Sequence, residues 1–92
     1  MSNLRCIAID DEPLALQQMC AYIEKTPFLE LAAGCKDGFI ATEKINQLTP
    51  DLLFVDVNMP GLNGLELVRS LYPTPLVIFT TAYSEYAFEG FR

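Results

Sequence analysis

Short apolar runs alternate along this chain with longer stretches whose apolar residues recur every three or four positions. Residues 4–9 form an apolar run broken only by Arg5, and the run ends in Asp10-Asp11-Glu12. Pro13 suits the first turn of a helix, where its missing N–H is harmless. Leu16, Met19, Cys20 and Ile23 then follow at helical spacing, and the helix is expected to stop ahead of Pro27. Residues 28–35 read as a second strand. Asp37 is placed to cap a second helix with Ala41, Ile45 and Leu48 on one face, ending near Thr49-Pro50. Residues 52–55 are uninterrupted apolar residues over one strand length, as in a strand covered on both faces. A loop over 57–63 precedes a third helix through Leu65, Val68 and Leu71. A turn over 72–75 leads to a fourth strand at 76–80. Ser84 can cap a last helix running through Tyr86, Ala87 and Phe88 towards Phe91.

Strands alternating with helices imply one α/β domain over 1–92, a doubly wound parallel sheet with helices on both faces. Sheets of this kind bind ligands beyond the carboxyl ends of their strands, where the winding direction reverses. In the flavodoxin-like order that reversal falls between strands one and three. Here those strands end in Asp10-Asp11 and in Asp56, so three carboxylates are expected at one edge.

Charge and composition narrow what such an edge can do. The formal net charge of −6 argues against a nucleic-acid grip by these residues. Acidity by itself usually signals only a solvated surface. Although 51% of the residues are apolar, no run is long enough to cross a bilayer. The N-terminus lacks a signal peptide's charged start and apolar stretch, so a cytoplasmic location is expected, with no membrane partner. Cys6, Cys20 and Cys35 are widely spaced, without a C-x-x-C and with no histidine to join them. They are expected to be reduced side chains packed as small apolar groups, not a zinc site.

Gathered carboxylates repel one another, and burial sharpens the repulsion. A divalent cation relieves it, and Mg²⁺ suits a site of one or two carboxylates, a carbonyl and phosphate oxygens. One carboxylate can then attack phosphorus, while the metal stabilises charge on the equatorial oxygens. Each residue also has a plainer reading. Asp11 or Glu12 alone would be a turn former or helix cap, and Thr80 and Thr81 would be ordinary β-branched strand residues. The conjunction favours phosphoryl chemistry: acids after strand one, an acid after strand three, and hydroxyls closing strand four.

Taken together, Ile9-Asp10-Asp11-Glu12-Pro13, the stretch from Pro50 through Asp56-Val57-Asn58-Met59-Pro60-Gly61 with Gly64, and Phe79-Thr80-Thr81-Ala82 resemble response regulator receiver domains along the whole chain. The resemblance implies that Asp56 accepts a phosphoryl group from a sensor histidine kinase of a bacterial two-component system. It implies a Mg²⁺ site made by Asp11, Asp56 and the backbone carbonyl of Asn58, with Asp10 completing the acidic pocket, in contact with the metal directly or through water. Thr81 would be the switch hydroxyl, Thr80 a core residue, and Pro60, Gly61 and Gly64 loop residues around the site. Such a domain is not an enzyme in the usual sense, although it assists its own phosphorylation and dephosphorylation. The segment Ile78-Phe79-Thr80-Thr81-Ala82-Tyr83-Ser84-Glu85-Tyr86-Ala87, with Gly90-Phe91, further resembles the LytTR (LytR/AlgR-type) regulators. Their receiver precedes a mainly β DNA-binding domain, so DNA would be contacted only through an output domain.

Receiver domains continue into a fifth strand, with a lysine that contacts the phosphoryl group, and a fifth helix. This sequence stops at Arg92, and Lys25, Lys36 and Lys44 lie elsewhere in the pattern. The expected fold is therefore strand order 2-1-3-4, C-terminally incomplete. Two further expectations are an open edge at 76–80, inviting dimerisation there or through 83–91, and weak or absent labelling of the fragment by acetyl phosphate against ready labelling of the full chain. The rival enzyme, a haloacid-dehalogenase-type phosphatase, wants a second aspartate two positions after the nucleophile, where Asn58 stands. A third alternative keeps the fold as a dimerisation module that works without phosphorylation.

Overall fold

The apolar runs become the strands of one sheet because their side chains find cover on both faces. A computed structural model describes residues 3–57, 67, 69, 71 and 75–80. In it β1 (Leu4–Ile9), β2 (Leu29–Cys35), β3 (Leu52–Asp56) and β4 (Leu76–Thr80) lie in the order β2-β1-β3-β4. Every pairing is parallel, which gives the doubly wound architecture and the 2-1-3-4 order expected from the pattern. The central strands are also the most apolar. Cys6, Ile7, Ala8 and Ile9 of β1, and Leu52, Leu53 and Val55 of β3, are all buried.

Helix α1 (Pro13–Lys25) packs through Ile23, Leu16, Met19 and Cys20 on the face of the sheet that carries Cys6, Ala8 and Leu52. Helix α2 (Gly38–Leu48) packs through Ala41 and Ile45 on the opposite face, against Ile7, Ile9, Leu53 and Val55. Alternation along each strand feeds both layers, since successive side chains point to opposite faces. As expected, Asp37 caps α2, its Oδ1 accepting the Ile40 N–H at 2.8 Å. A cap of this kind contributes about 1 kcal/mol. The helix ends at Thr49, whose φ of 44° is a left-handed conformation ahead of Pro50, which cannot continue a helix.

Several details differ from the sequence reading. β2 begins at Leu29, and the Phe28 ring stands out in solvent. Phe28 still contributes its carbonyl, which accepts the Leu4 N–H at 3.0 Å. β3 continues through Asp56, one residue further than the apolar run. Only Ile23 of the expected α1 stripe is fully buried, because α1 lies over β1 and β2 near one side of the sheet. Leu67 and Arg69 are helical, and Leu67 joins Leu71 in the core under α2. Leu67 was not on the expected stripe; Leu65 and Val68 lie outside the described residues, as do the 72–74 turn and the helix from Ser84. All three cysteines are free thiols, Cys6 and Cys35 buried and Cys20 half-buried.

β4 meets the expectation for its edge. Among the described residues it pairs only with β3, and Leu76, Ile78 and Phe79 are 67%, 46% and 41% exposed. Val77 lies on the opposite face from Leu76 and Ile78 and packs on the α2-side core.

Candidate functional site

The site grows out of two strand ends. The Asp10 N–H still reaches across to the Cys35 carbonyl at 3.0 Å, so its backbone remains aligned with the sheet. Its side chain then turns the chain: Asp10 Oδ1 accepts the Glu12 N–H at 2.9 Å. Glu12 is the N-cap of α1, with Oε1 accepting the Leu14 N–H at 3.1 Å. The plainer reading is therefore right for Glu12, which starts a helix. Asp56 closes β3, and the next residue, Val57, donates its N–H to the Thr80 carbonyl at 3.2 Å.

The register pairs Ile9 with Val55, so Asp10 and Asp56 are the next residues on neighbouring strands. Carboxylate oxygens of Asp10, Asp11 and Asp56 lie within 4.8 Å of one another. Asp10 and Asp56 are only 3% and 4% exposed, whereas Asp11 faces solvent. Burial pushes the Asp10 carboxyl above its ordinary range. The Glu12 N–H and a hydrogen bond with the Asp56 side chain pull it back, and the nearby charges of Asp11 and Glu12 push it up again. Two buried carboxyl groups in contact, with a third at the rim, form a strongly electronegative concavity. Its hard oxygen donors fit a divalent cation such as Mg²⁺, which would bring positive charge where the fold concentrates negative charge.

The structure thus brings together Asp10, Asp11 and Asp56. Asn58, Pro60, Gly61, Gly64 and Thr81 lie outside the described residues. Thr80, expected to be a core residue, carries a surprise: its hydroxyl is buried and has no hydrogen-bond partner among the described residues. Its place in the register opposite Asp56 follows from counting both strands back from their carboxyl ends, but nothing in the sequence announces an unpartnered hydroxyl.

A family model for the response regulator receiver domain matches residues 6–91. An uncharacterized response regulatory protein of Vibrio parahaemolyticus is 36% identical over 91 residues, covering 97% of this chain and 38% of the relative. The transcriptional regulatory protein BtsR of Escherichia coli is 33% identical over the same shares. Among solved structures, the receiver domain of a response regulator NarL from Mycobacterium tuberculosis superposes with a TM-score of 0.79 at 27% identity, over 95% of this chain and 73% of that one. The chain belongs to the response regulator receiver domain family. It spans 38% of the length of these curated relatives.

Proposed function

We propose that this domain is a phosphoacceptor switch in which Asp56 takes a phosphoryl group from a sensor histidine kinase. The observation that carries the reading is the contact of buried Asp56 with Asp10 and Asp11 at the carboxyl edge of the sheet, oxygens within 4.8 Å. An Asp56 oxygen attacks phosphorus, forming a P–O bond as the P–N bond of the donor phosphohistidine breaks, and the imidazole leaves as the neutral base after taking a proton from solvent. Mg²⁺ held by Asp11, Asp56 and the Asn58 carbonyl, with Asp10 as outer support, would neutralise charge on the transferring group. Asp10 holds the β1–α1 turn through the Glu12 N–H, so it keeps Asp11 at the rim. Thr81 is the switch hydroxyl in this reading, and Pro60, Gly61 and Gly64 shape the loop beside Asp56.

In the parent regulator, phosphorylation would act on a transcriptional output in the cytoplasm, DNA being contacted by a separate domain. We assign that output to the LytTR class on the Ile78 to Ala87 stretch with Gly90-Phe91. The exposed Leu76, Ile78 and Phe79 of β4 favour self-association through this edge, with 83–91 the alternative surface; Ile78→Lys should lower the dimer fraction in sedimentation equilibrium.

Intact mass of the full-length parent regulator after acetyl phosphate and Mg²⁺ tests the central reading. One phosphoryl adduct is expected, absent without Mg²⁺ and absent in Asp56→Asn. An adduct that survives that substitution would move the phosphoacceptor elsewhere. Rapid turnover of a general phosphate ester would favour the phosphatase, and no adduct under any condition would favour the phosphorylation-independent module.

A further inference from the structure

The hydroxyl of Thr80 is buried without a partner among the described residues, and a buried polar group left unsatisfied costs free energy that native folds seldom accept without a use. Thr80 is the Cα partner of Asp56 in the β3–β4 register, and paired residues on adjacent strands point to the same face of a sheet. Asp10, Asp56 and Thr80 therefore form one row across the carboxyl ends of β1, β3 and β4. The first two already touch through their carboxyl groups.

The other neighbour of Thr80 is a cavity of about 260 Å³ on the α1 side, lined by Met19, Tyr22, Ile23, Leu29 and Phe54 among others. It offers the hydroxyl little. Its walls are mostly apolar, and the Thr26 hydroxyl on its rim is already bonded to the Tyr22 carbonyl at 2.7 Å. A water held there would lack the two to four polar partners that fix a buried water. The carboxylate row is the polar alternative. Strands lie roughly 4.8 Å apart, and a hydroxyl and a carboxylate on paired residues can span that gap after rotation of the threonine about χ1.

We propose that Thr80 is a positioning residue for Asp56: its hydroxyl turns about χ1 and donates a hydrogen bond to the Asp56 carboxylate. The bond forms when Asp56 engages cation and phosphoryl donor, and it holds the attacking oxygen in line. Thr80 touches neither metal nor donor and acts through Asp56. This rests on Asp56 being the phosphoacceptor, and it is separate from the switch role given to Thr81.

The test compares the full-length parent regulator with its Thr80→Val, Thr80→Ser and Asp56→Asn variants. Two quantities are read: thermal unfolding without Mg²⁺, and the rate of adduct formation with acetyl phosphate and Mg²⁺ by intact mass. Valine keeps the shape and removes the unpartnered hydroxyl, so Thr80→Val should unfold at the wild-type temperature or above. Its labelling rate should nonetheless fall about tenfold, the worth of one hydrogen bond to a charged group. Serine keeps the hydroxyl and should label within about twofold of wild type, since only the packing methyl is lost. A Thr80→Val chain that labels at the wild-type rate while Asp56→Asn does not label would overturn the role of Thr80 alone. Failure of wild type to label, or labelling of Asp56→Asn, would overturn the phosphoacceptor reading and this proposal with it.

Discussion

Replacing Asp10 by asparagine should make the metal-free protein more stable while weakening its response to Mg²⁺. Asp10 is 3% exposed, and its oxygens lie within 4.8 Å of those of Asp11 and the equally buried Asp56. Burial is the main cost of ionising Asp10, and the charges of Asp11 and Glu12 add to it, while the Glu12 N–H and a hydrogen bond with the Asp56 side chain offset part of it. Asparagine retains the oxygen that accepts the Glu12 N–H, and its amide can donate to Asp56, so the turn survives. The net gain near pH 7.5 should be about 1–3 kcal/mol, or about 4–24 °C in Tm for a domain of this size.

The pH dependence carries a definite sign. Burial raises the Asp10 carboxyl above its ordinary 3.8, so the folded state binds that proton more tightly than the unfolded state. Its contribution to stability is therefore fully present below the ordinary value. It is lost as pH rises through the folded pKa, and the loss is constant above it. Wild type and Asp10→Asn should accordingly converge in acid and separate as pH rises. Millimolar Mg²⁺ should raise the wild-type Tm more than the variant's, because bound ligand stabilises only the state that binds it. Circular dichroism melts from pH 4 to 8, with and without Mg²⁺, measure all of this. A metal-free Asp10→Asn protein less stable than wild type at pH 7.5 would refute the claim that ionising the buried Asp10 is costly.

Other consequences are open to direct measurement. A Cβ at Gly34 would stand 2.9 Å from Cys20 Sγ, so Gly34→Ala should cost about 1–3 kcal/mol in urea unfolding; Cys20→Ala should recover most of that loss. Thr49 is exposed and holds φ 44° at the end of α2, so Thr49→Gly should raise stability by about 1 kcal/mol, read by the same unfolding curves. Burial leads the upward shift of all three thiols, and only Cys20 is partly accessible. A thiol-specific reagent should therefore modify Cys20 in the native protein, with Cys6 and Cys35 reacting only on unfolding, as counted by mass.

Much of this protein is legible in its sequence, because the determining signals are local. Apolar runs at 4–9, broken only by Arg5, and at 52–55 mark the two central strands, since a strand covered on both faces dispenses with polar alternation. Pro13 and Asp37 mark where helices begin, through backbone groups a few residues away. The convergence of Asp10, Asp11 and Asp56 follows from topology alone: in a parallel sheet that reverses between β1 and β3, their carboxyl ends must lie side by side. What the tertiary structure decided depends on neighbours far along the chain. Burial of Asp10 beside Asp56, and hence the raised carboxyl, comes from packing of strands some 46 positions apart. Phe28 and Leu67 were misjudged because apolarity does not say which side of an element meets cover. Thr80 could be placed opposite Asp56 by counting, but only the packed structure leaves its hydroxyl dry and unpartnered, because a hydrogen bond is satisfied or lost by what surrounds it in space.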